Sequence, residues 1–79
     1  MRDSQLGIGV VGYGYWGPNI VRNFALNPAT RVVSVSDLSS GRLGAVKQLY
    51  PAVETTSRYD DLLNDTSIDA IAIATPVHT

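Results

Sequence analysis

The chain has 79 residues, with six basic and seven acidic side chains, a net charge of −1 and no cysteine. The basic residues are scattered, so neither a nucleic acid nor a membrane surface is expected as a partner, and the early apolar run at residues 6–11 is too short to span a membrane. The lack of cysteine excludes disulfides and thiolate metal sites and agrees with a cytoplasmic location. The length allows one domain at most.

Apolar runs and helix signals alternate along the chain. Leucine, isoleucine and valine at residues 6–11 predict a strand that is buried on both faces. Pro18 suits the first turn of a helix, and Ser39 is a suitable N-cap for a second helix. The inward residues expected in that second helix are Leu43, Val46 and Leu49. In chain order, the predicted strands are 6–11, 31–36, 53–55 and 68–74, and the predicted helices are 18–26, 40–49 and 60–63.

This alternation predicts an α/β fold of three layers, α/β/α, with a parallel sheet. Right-handed crossovers place the four strands in the order 3-2-1-4, with the first two helices on one face and the third on the other. The carboxyl ends of strands 1 and 4 then flank the point where such sheets bind ligands. The expected fold is Rossmann-like and truncated relative to a full dinucleotide-binding domain.

A glycine-spaced turn follows the first strand directly. Gly12 permits a tight turn, Gly14 allows the backbone to approach a pyrophosphate, and Gly17 lets the next helix pack close to the strand. The free N–H groups of that helix, together with the positive end of its dipole, would face the phosphates. The spacing predicts a dinucleotide site when a strand precedes it, a helix follows and an acid lies about 20 residues further on.

Asp37 meets the last requirement, since it lies 37 − 17 = 20 residues after Gly17, at the end of the second predicted strand. Its carboxylate can accept hydrogen bonds from the adenosine ribose and would repel a 2′-phosphate, which favours NAD over NADP. Two alternatives remain open. Asp37 could be a helix-capping or turn residue, and Arg42 could tolerate a 2′-phosphate, although its predicted place in a helix favours a solvated side chain.

Three aromatic residues crowd the turn, and a single histidine lies near the end of the chain. One of the rings of Tyr13, Tyr15 and Trp16 could shield a cofactor, but packing of these residues between the helix and neighbouring loops is the favoured interpretation. His78 has no second histidine or nearby carboxylate, so it is interpreted as a loop residue near the cleft. No catalytic residue and no metal site are predicted.

Several stretches together resemble the glucose-fructose oxidoreductase / inositol dehydrogenase / MocA family, from about Leu6 to the last residue. The resemblance implies that Gly12, Gly14 and Gly17 contact the pyrophosphate, that Asp37 binds the ribose, that Thr75 and Pro76 contact the cofactor from strand 4, and that His78 lies close by. Tyr15 and Trp16, which lie between these glycines, are also candidate cofactor-binding residues. The resemblance also implies hydride transfer between NAD(P) and a sugar, nucleotide-sugar or cyclitol hydroxyl. The stretches that carry it are Val10 to Asn19, Asp37, Arg58 to Leu63 and Ile68 to Pro76.

The family's catalytic lysine, in a Glu-Lys-Pro motif, and its sheet-rich substrate domain have no counterpart in the 79 residues. Residues 1–79 are therefore expected to form a partial dinucleotide-binding domain of a larger oxidoreductase, inactive alone, with the sugar-type substrate bound only by the full-length parent. The alternative is a stand-alone nucleotide-binding, sensing or interaction module without catalysis.

The last predicted strand also suggests a protein partner. If a fifth strand normally pairs with it, residues 71–74 form an exposed and uncharged sheet edge. Edges of this kind recruit further strands or other chains. A homodimer or higher homo-oligomer through this side is the expected assembly.

Overall fold

A computed structural model describes residues 5–74 as a parallel sheet with helices on both faces. The strands lie in the order β3-β2-β1-β4, and all three strand pairs are parallel. This arrangement confirms the Rossmann-like α/β prediction. The elements are β1 (Leu6–Val11), α1 (Gly17–Leu26), β2 (Thr30–Ser36), α2 (Ser40–Leu49), β3 (Glu54–Thr56), α3 (Asp60–Leu63) and β4 (Ala70–Ile73).

The main core lies between the sheet and the first two helices. Ile8 and Val10 of β1 contribute its centre, and the fully buried Val21 of α1 and Val46 of α2 cover them. The β1–β2 register shifts between Ile8 and Gly9. The extra residue in β2 allows Val32 and Val35, three positions apart, to pack against the same core.

The third helix lies on the opposite face, as predicted. Its Leu62 is 1% exposed and packs over Gly9, which alternates along β1 with the core residues Ile8 and Val10. A Cβ added at Gly9 would lie 3.0 Å from Leu62 Cδ2. Glycine at this position therefore lets a helix of four residues reach the sheet.

Three strands have ends that differ from the sequence prediction. β2 begins one residue earlier than predicted, at Thr30, and a turn delays the start of each of the other two. The Val53 N–H donates to the Tyr50 carbonyl, so β3 begins one residue later, at Glu54. At the start of β4, the Gly7 N–H donates to the Asp69 carboxylate and the Asp69 N–H donates to the Gly7 carbonyl. The Ile68 N–H donates to the Asp65 carbonyl and closes a turn just before this point, so β4 begins only at Ala70 and is shorter than predicted.

The second helix begins as expected but turns one leucine outward. Ser39 Oγ accepts a hydrogen bond from the Arg42 N–H at 3.2 Å, which confirms the N-cap. Leu43 and Val46 pack inward, but the prediction for Leu49 is wrong, since it is exposed. Residues spaced by three drift about 60° per step around a helix, and Leu49 has rotated away from the core.

Gly44 offers a direct test of the second helix. A Cβ added there would meet no atom within 4 Å among the described residues. We expect Gly44→Ala to raise the free energy of unfolding by about 0.5–1 kcal/mol, because alanine loses less backbone entropy than glycine in a helix. Urea denaturation followed by circular dichroism measures the change. Gly9→Ala should lower stability, since the new Cβ would lie 2.9 Å from Ile68 Cδ1 and 3.0 Å from Cδ2 of the buried Leu62. A Gly44→Ala variant no more stable than the parent would contradict the placement of α2.

Candidate functional site

The turn between β1 and α1 depends on two of its glycines for internal reasons. Gly12 has φ of 97°, a conformation that other residues rarely adopt, and its N–H donates to the Ser36 carbonyl at 2.7 Å. A Cβ at Gly17 would lie 2.6 Å from the Gly12 carbonyl oxygen. Gly12 therefore forms the turn, and Gly17 allows α1 to start against it.

Gly14 differs from the other two glycines. The nearest atom to a Cβ added at Gly14 is Arg42 Nη1, at 3.4 Å, which is an ordinary contact with a flexible side chain. Packing within the described chain therefore does not require glycine at this position. The requirement that remains is the one predicted from the sequence, close approach of a ligand to the backbone.

The first turn of α1 has the features of an anion site. The N-cap residue is Trp16, and among the described residues no side chain caps the helix and no acid lies in its first turn. Pro18 occupies the first turn, where its missing N–H has no consequence. The remaining N–H groups and the positive end of the helix dipole are available to a bound phosphate.

Asp37 ties this turn to the start of the second helix. Its Oδ2 accepts a hydrogen bond from the Tyr13 N–H at 2.7 Å, and its Oδ1 accepts one from the Ser39 N–H at 2.8 Å. The side chain is only 7% exposed. Asp37 therefore acts as a turn and helix-start residue, which was one of the two interpretations of its role. Each carboxylate oxygen can still accept a further hydrogen bond from a ligand hydroxyl.

Arg42 extends from α2 towards the same carboxylate. Its Nη1 lies 3.8 Å from Asp37 Oδ1, and its side chain is 58% exposed. The prediction of an exposed helical arginine is therefore correct. The sequence did not indicate, however, that the guanidinium lies beside both Asp37 and Gly14.

The three aromatic residues of the turn behave differently from one another. Tyr13 is buried in the core, as the packing interpretation expects. That interpretation is wrong for Tyr15 and Trp16, which are 81% and 56% exposed. Their rings contact each other edge to face with centroids 4.8 Å apart. Both rings are therefore accessible to a ligand at the amino end of α1.

A cavity of about 410 Å³ lies beside the carboxyl ends of β1 and β2. Its wall contains Gly12 and Asp37, which the sequence motif predicts for the site. It also contains Leu38, Ser57 and Tyr59, which the motif does not include. Leu38 is 92% exposed, and an apolar residue directly after the strand-ending acid was the available signal. Tyr59 comes from the far end of another crossover, and no local pattern connects it with Asp37.

A larger cavity, about 570 Å³, lies between β2, β3 and α3. Its lining has three acidic residues, Glu54, Asp61 and Asp65, against one basic residue, Arg31, and this excess of negative charge would repel a phosphate. Within residues 5–74, no group of three or more histidine, cysteine, aspartate or glutamate side chains could hold a metal ion. The chemistry of an anionic ligand therefore favours the glycine turn over this cavity.

The predicted residues Thr75, Pro76 and His78 lie outside the described part of the chain. The strand that leads to them is in the expected place, because β4 pairs with β1 and the Ala74 N–H donates to the Val11 carbonyl at 2.8 Å. The end of β4 therefore lies next to the start of the glycine turn. No helix of the described residues is long and apolar enough to cross a membrane.

A glycine turn between a central parallel strand and a helix, with an acid at the end of the next strand, defines a Rossmann-type dinucleotide-binding protein. Family comparison agrees, since residues 6–79 match the GFO_IDH_MocA model, described as an oxidoreductase family with an NAD-binding Rossmann fold. The chain belongs to this family. The resemblance drawn from the sequence is confirmed.

Individual relatives are oxidoreductases and inositol dehydrogenases. The chain is 33% identical over 73 residues to the uncharacterized oxidoreductase YrbE of Bacillus subtilis, and 39% identical over 75 residues to inositol 2-dehydrogenase 1 of Saccharopolyspora erythraea. These matches cover 92% and 91% of the chain but only 21% and 22% of the relatives. The chain thus spans about a fifth of their length.

A solved structure shows the same fold. Scyllo-inositol dehydrogenase from Lactobacillus casei, crystallised with NAD(H) and scyllo-inositol, superposes with a TM-score of 0.80 at 26% identity. The superposition covers 91% of this chain and 22% of that protein. The shared part therefore has the architecture of a protein known to hold the dinucleotide.

The buried hydroxyl of Tyr13 makes the free energy of unfolding sensitive to alkaline pH. Burial raises the pKa of its hydroxyl above the ordinary value of 10.0, and Tyr50 adds a smaller effect in the same direction. The folded chain thus holds the phenol proton more tightly than the unfolded chain does. This contribution to stability is fully present below the unfolded pKa and is lost as pH rises through the folded pKa.

We therefore expect the free energy of unfolding of the parent chain to fall more steeply above pH 10 than that of Tyr13→Phe. Urea denaturation at a series of pH values on either side of pH 10 measures both slopes. Tyr15→Phe, which removes a hydroxyl from an exposed ring, is the control and should follow the parent. Identical slopes for the parent and Tyr13→Phe would contradict the assignment.

Proposed function

We propose that the chain is the cofactor-binding part of an oxidoreductase that transfers hydride between NAD and a hydroxyl-bearing carbon of a sugar, nucleotide sugar or cyclitol. The observation that carries the proposal is the Asp37 carboxylate. It is hydrogen-bonded to the Tyr13 N–H of the glycine turn and buried at the end of β2. A carboxylate in that place can orient a ribose beside a pyrophosphate held by the turn.

Each part of the site has a proposed role. Gly12 and Gly17 shape the turn, Gly14 faces the pyrophosphate, and the first N–H groups of α1 bind the phosphate oxygens. Asp37 accepts hydrogen bonds from the ribose hydroxyls. Tyr15 and Trp16, both exposed at the start of α1, border the cofactor. Contacts from Thr75, Pro76 and His78 stay predictions.

The cavity beside Asp37 is the proposed place of the adenine ring. Its volume of about 410 Å³ lies within the range of roughly 300–1,000 Å³ found for small-molecule sites. Leu38 and Tyr59 provide apolar and aromatic surface in its wall, which suits a flat heterocycle. Asp37 lies in the same wall, so a ribose joined to that adenine would reach the carboxylate.

The nature of Asp37 favours NAD over NADP. A 2′-phosphate would place a negatively charged group next to a carboxylate that is already largely removed from solvent. The two hydroxyls of an unmodified ribose instead donate hydrogen bonds to it. NAD is therefore the proposed cofactor, with NADP bound less tightly.

Bound nicotinamide would supply the hydride chemistry, and the described residues bind and orient it. The lysine of the chain, Lys47, donates to the Pro51 and Val53 carbonyls at the far end of α2 and is not available as a proton relay at the turn. The 79 residues alone are therefore proposed to bind the dinucleotide without turnover. A cyclitol is one candidate substrate of the whole oxidoreductase, since two of the relatives are named inositol dehydrogenases.

Cofactor binding can be followed with Trp16, the single tryptophan of the chain. Excitation of Trp16 should produce nicotinamide emission as NADH is added, because the exposed indole lies at the proposed site. We expect Gly14→Val to weaken NADH binding by about tenfold or more, equivalent to ~1.4 kcal/mol, since its side chain would block approach to the backbone.

Gly44→Val is the matched control, because it introduces the same side chain into open space on α2. It should leave the dissociation constant for NADH within about twofold of the parent value, which is under ~0.5 kcal/mol. Energy transfer that is absent in the parent, or unchanged in Gly14→Val, would contradict the proposed pyrophosphate site.

The second part of the proposal is that the chain associates with copies of itself through the side of the sheet that carries α3. Among the described strands, β4 is an edge of the sheet. Its Ile73 is 69% exposed, and the neighbouring Leu63 is 60% exposed. Together with Val11, Tyr59 and Ile71 they line an open cavity of about 400 Å³. An apolar edge of this kind favours pairing with another copy of the chain.

We expect the parent chain to form a dimer or larger oligomer at high micromolar concentration, and Ile73→Lys to be monomeric. A lysine on an edge strand opposes strand pairing because its charge would have to be buried in the interface. Light scattering measures the mass of each. Leu26→Lys, which replaces an exposed leucine at the end of α1, is the control and should associate like the parent, and a monomeric parent would contradict the proposal.

A further inference from the structure

The backbone N–H groups of the glycine turn fall into two sets. The Gly12 N–H donates to the Ser36 carbonyl at 2.7 Å. The Tyr13 N–H donates to Asp37 Oδ2, also at 2.7 Å. Within residues 5–74, the N–H groups of residues 14–16 donate to no acceptor. The end of β2 therefore binds the first two N–H groups, the next three are left for a ligand, and the Asp37 carboxylate acts at the boundary between the sets.

Tyr13 is fixed on its other side by the core. Its residue surface is 6% exposed, and a Cβ added at Gly17 would lie 3.3 Å from Tyr13 Cδ1, so the ring packs against the start of α1. With the ring buried and the N–H bonded to Asp37, the peptide unit before Tyr13 has a fixed orientation. Only two rotatable backbone bonds separate this unit from the N–H of Gly14.

The carboxylate that fixes this unit is itself held. Its Oδ1 accepts the Ser39 N–H at 2.8 Å, at the start of α2, and the Asp37 side chain is only 7% exposed. We propose that Asp37 is a positioning residue for the pyrophosphate, in addition to binding the ribose. By holding Tyr13, it keeps the N–H groups of residues 14–16 directed towards the phosphates. This inference rests on the proposed dinucleotide function.

The positioning role has a consequence that a ribose contact alone does not have. Without Asp37, the turn would have to become ordered when the phosphates bind, and that ordering lowers affinity. The loss of a negative charge acts in the opposite direction, because it favours the binding of an anion. A weaker interaction with phosphates after removal of this acid would therefore identify positioning.

The test uses 2′,3′-dideoxyadenosine 5′-diphosphate, or dideoxy-ADP, which has the adenine and the pyrophosphate but no ribose hydroxyls. Amide shift changes in NMR titrations give its dissociation constant. We expect Asp37→Ala to weaken the binding of dideoxy-ADP by about fivefold, because the turn loses the partner of the Tyr13 N–H. If Asp37 acted only on ribose hydroxyls, Asp37→Ala would leave this affinity unchanged or increase it.

Two controls separate positioning from a general loss of structure. In Asp37→Ala, the affinity for 2′,3′-dideoxyadenosine, which has no phosphate, should change by less than about twofold. Asp69→Ala removes a carboxylate that accepts the Gly7 N–H, also at 2.7 Å, at the opposite end of β1. This matched variant should leave the dissociation constant for dideoxy-ADP within about twofold of the parent value, because distant sites act independently.

Hydrogen exchange of the Tyr13 amide reports the turn directly, and it should be faster in Asp37→Ala than in the parent. Asp37→Asn is a second variant, which keeps the side-chain size but offers one oxygen to two N–H donors. It carries the test if Asp37→Ala does not fold. Where Asp37→Asn retains protection of Tyr13, its affinity for dideoxy-ADP should stay near that of the parent, and where protection is lost the affinity should fall.

The outcomes separate this inference from the function on which it rests. Faster exchange of Tyr13 with unchanged or tighter binding of dideoxy-ADP would overturn the inference, while dinucleotide binding would stand. Equal losses for dideoxy-ADP and dideoxyadenosine would also overturn it, as would Tyr13 exchange that is unchanged in Asp37→Ala. Absence of energy transfer from Trp16 to NADH in the parent chain would overturn both proposals.

Discussion

The carboxylate of Asp37 joins the parts of the molecule on which the site depends. One oxygen accepts the N–H of Tyr13 in the glycine turn, and the other accepts the N–H of Ser39, the N-cap of α2. A carboxylate that is 7% exposed is destabilising unless such partners satisfy it. The conformation of the turn, the start of the second helix and the position of the acceptor proposed to face the ribose are therefore set together.

This coupling also separates the roles of the three glycines. Gly12 and Gly17 are required by the chain itself, through a positive φ and a close contact between the two residues. Gly14 has no comparable internal requirement, since only the flexible side chain of Arg42 is near it. Two of the glycines are thus required by the fold, and the third is the one proposed to leave space for a ligand. The amino-acid sequence alone does not distinguish these two roles of glycine.

Much of the fold could be predicted because its signals are local. Alternating apolar runs and helix signals imply parallel strands, and right-handed crossovers then leave one strand order, which the sheet shows. The errors have different causes. A local bond from the Val53 N–H to the Tyr50 carbonyl delays β3, and Leu49 has rotated away from the core, whereas the start of β4 involves partners distant in sequence. Residues 68–69 have strand-like composition, but Asp69 exchanges hydrogen bonds with Gly7 instead, over 62 positions of the chain. Local periodicity contains no information on such a bond.

The amino-acid sequence by itself determined the strand order, the glycine turn and the choice of Asp37 as the proposed acid of the site, because glycine spacing and apolar periodicity are properties of neighbouring residues. Only the tertiary structure decided that Asp37 also holds the turn, that Arg42 lies beside it, and that Leu38 and Tyr59 share a cavity with it. The physical reason is the parallel sheet. Its crossovers bring the ends of separate strands to one edge, so side chains from distant segments become neighbours only after folding.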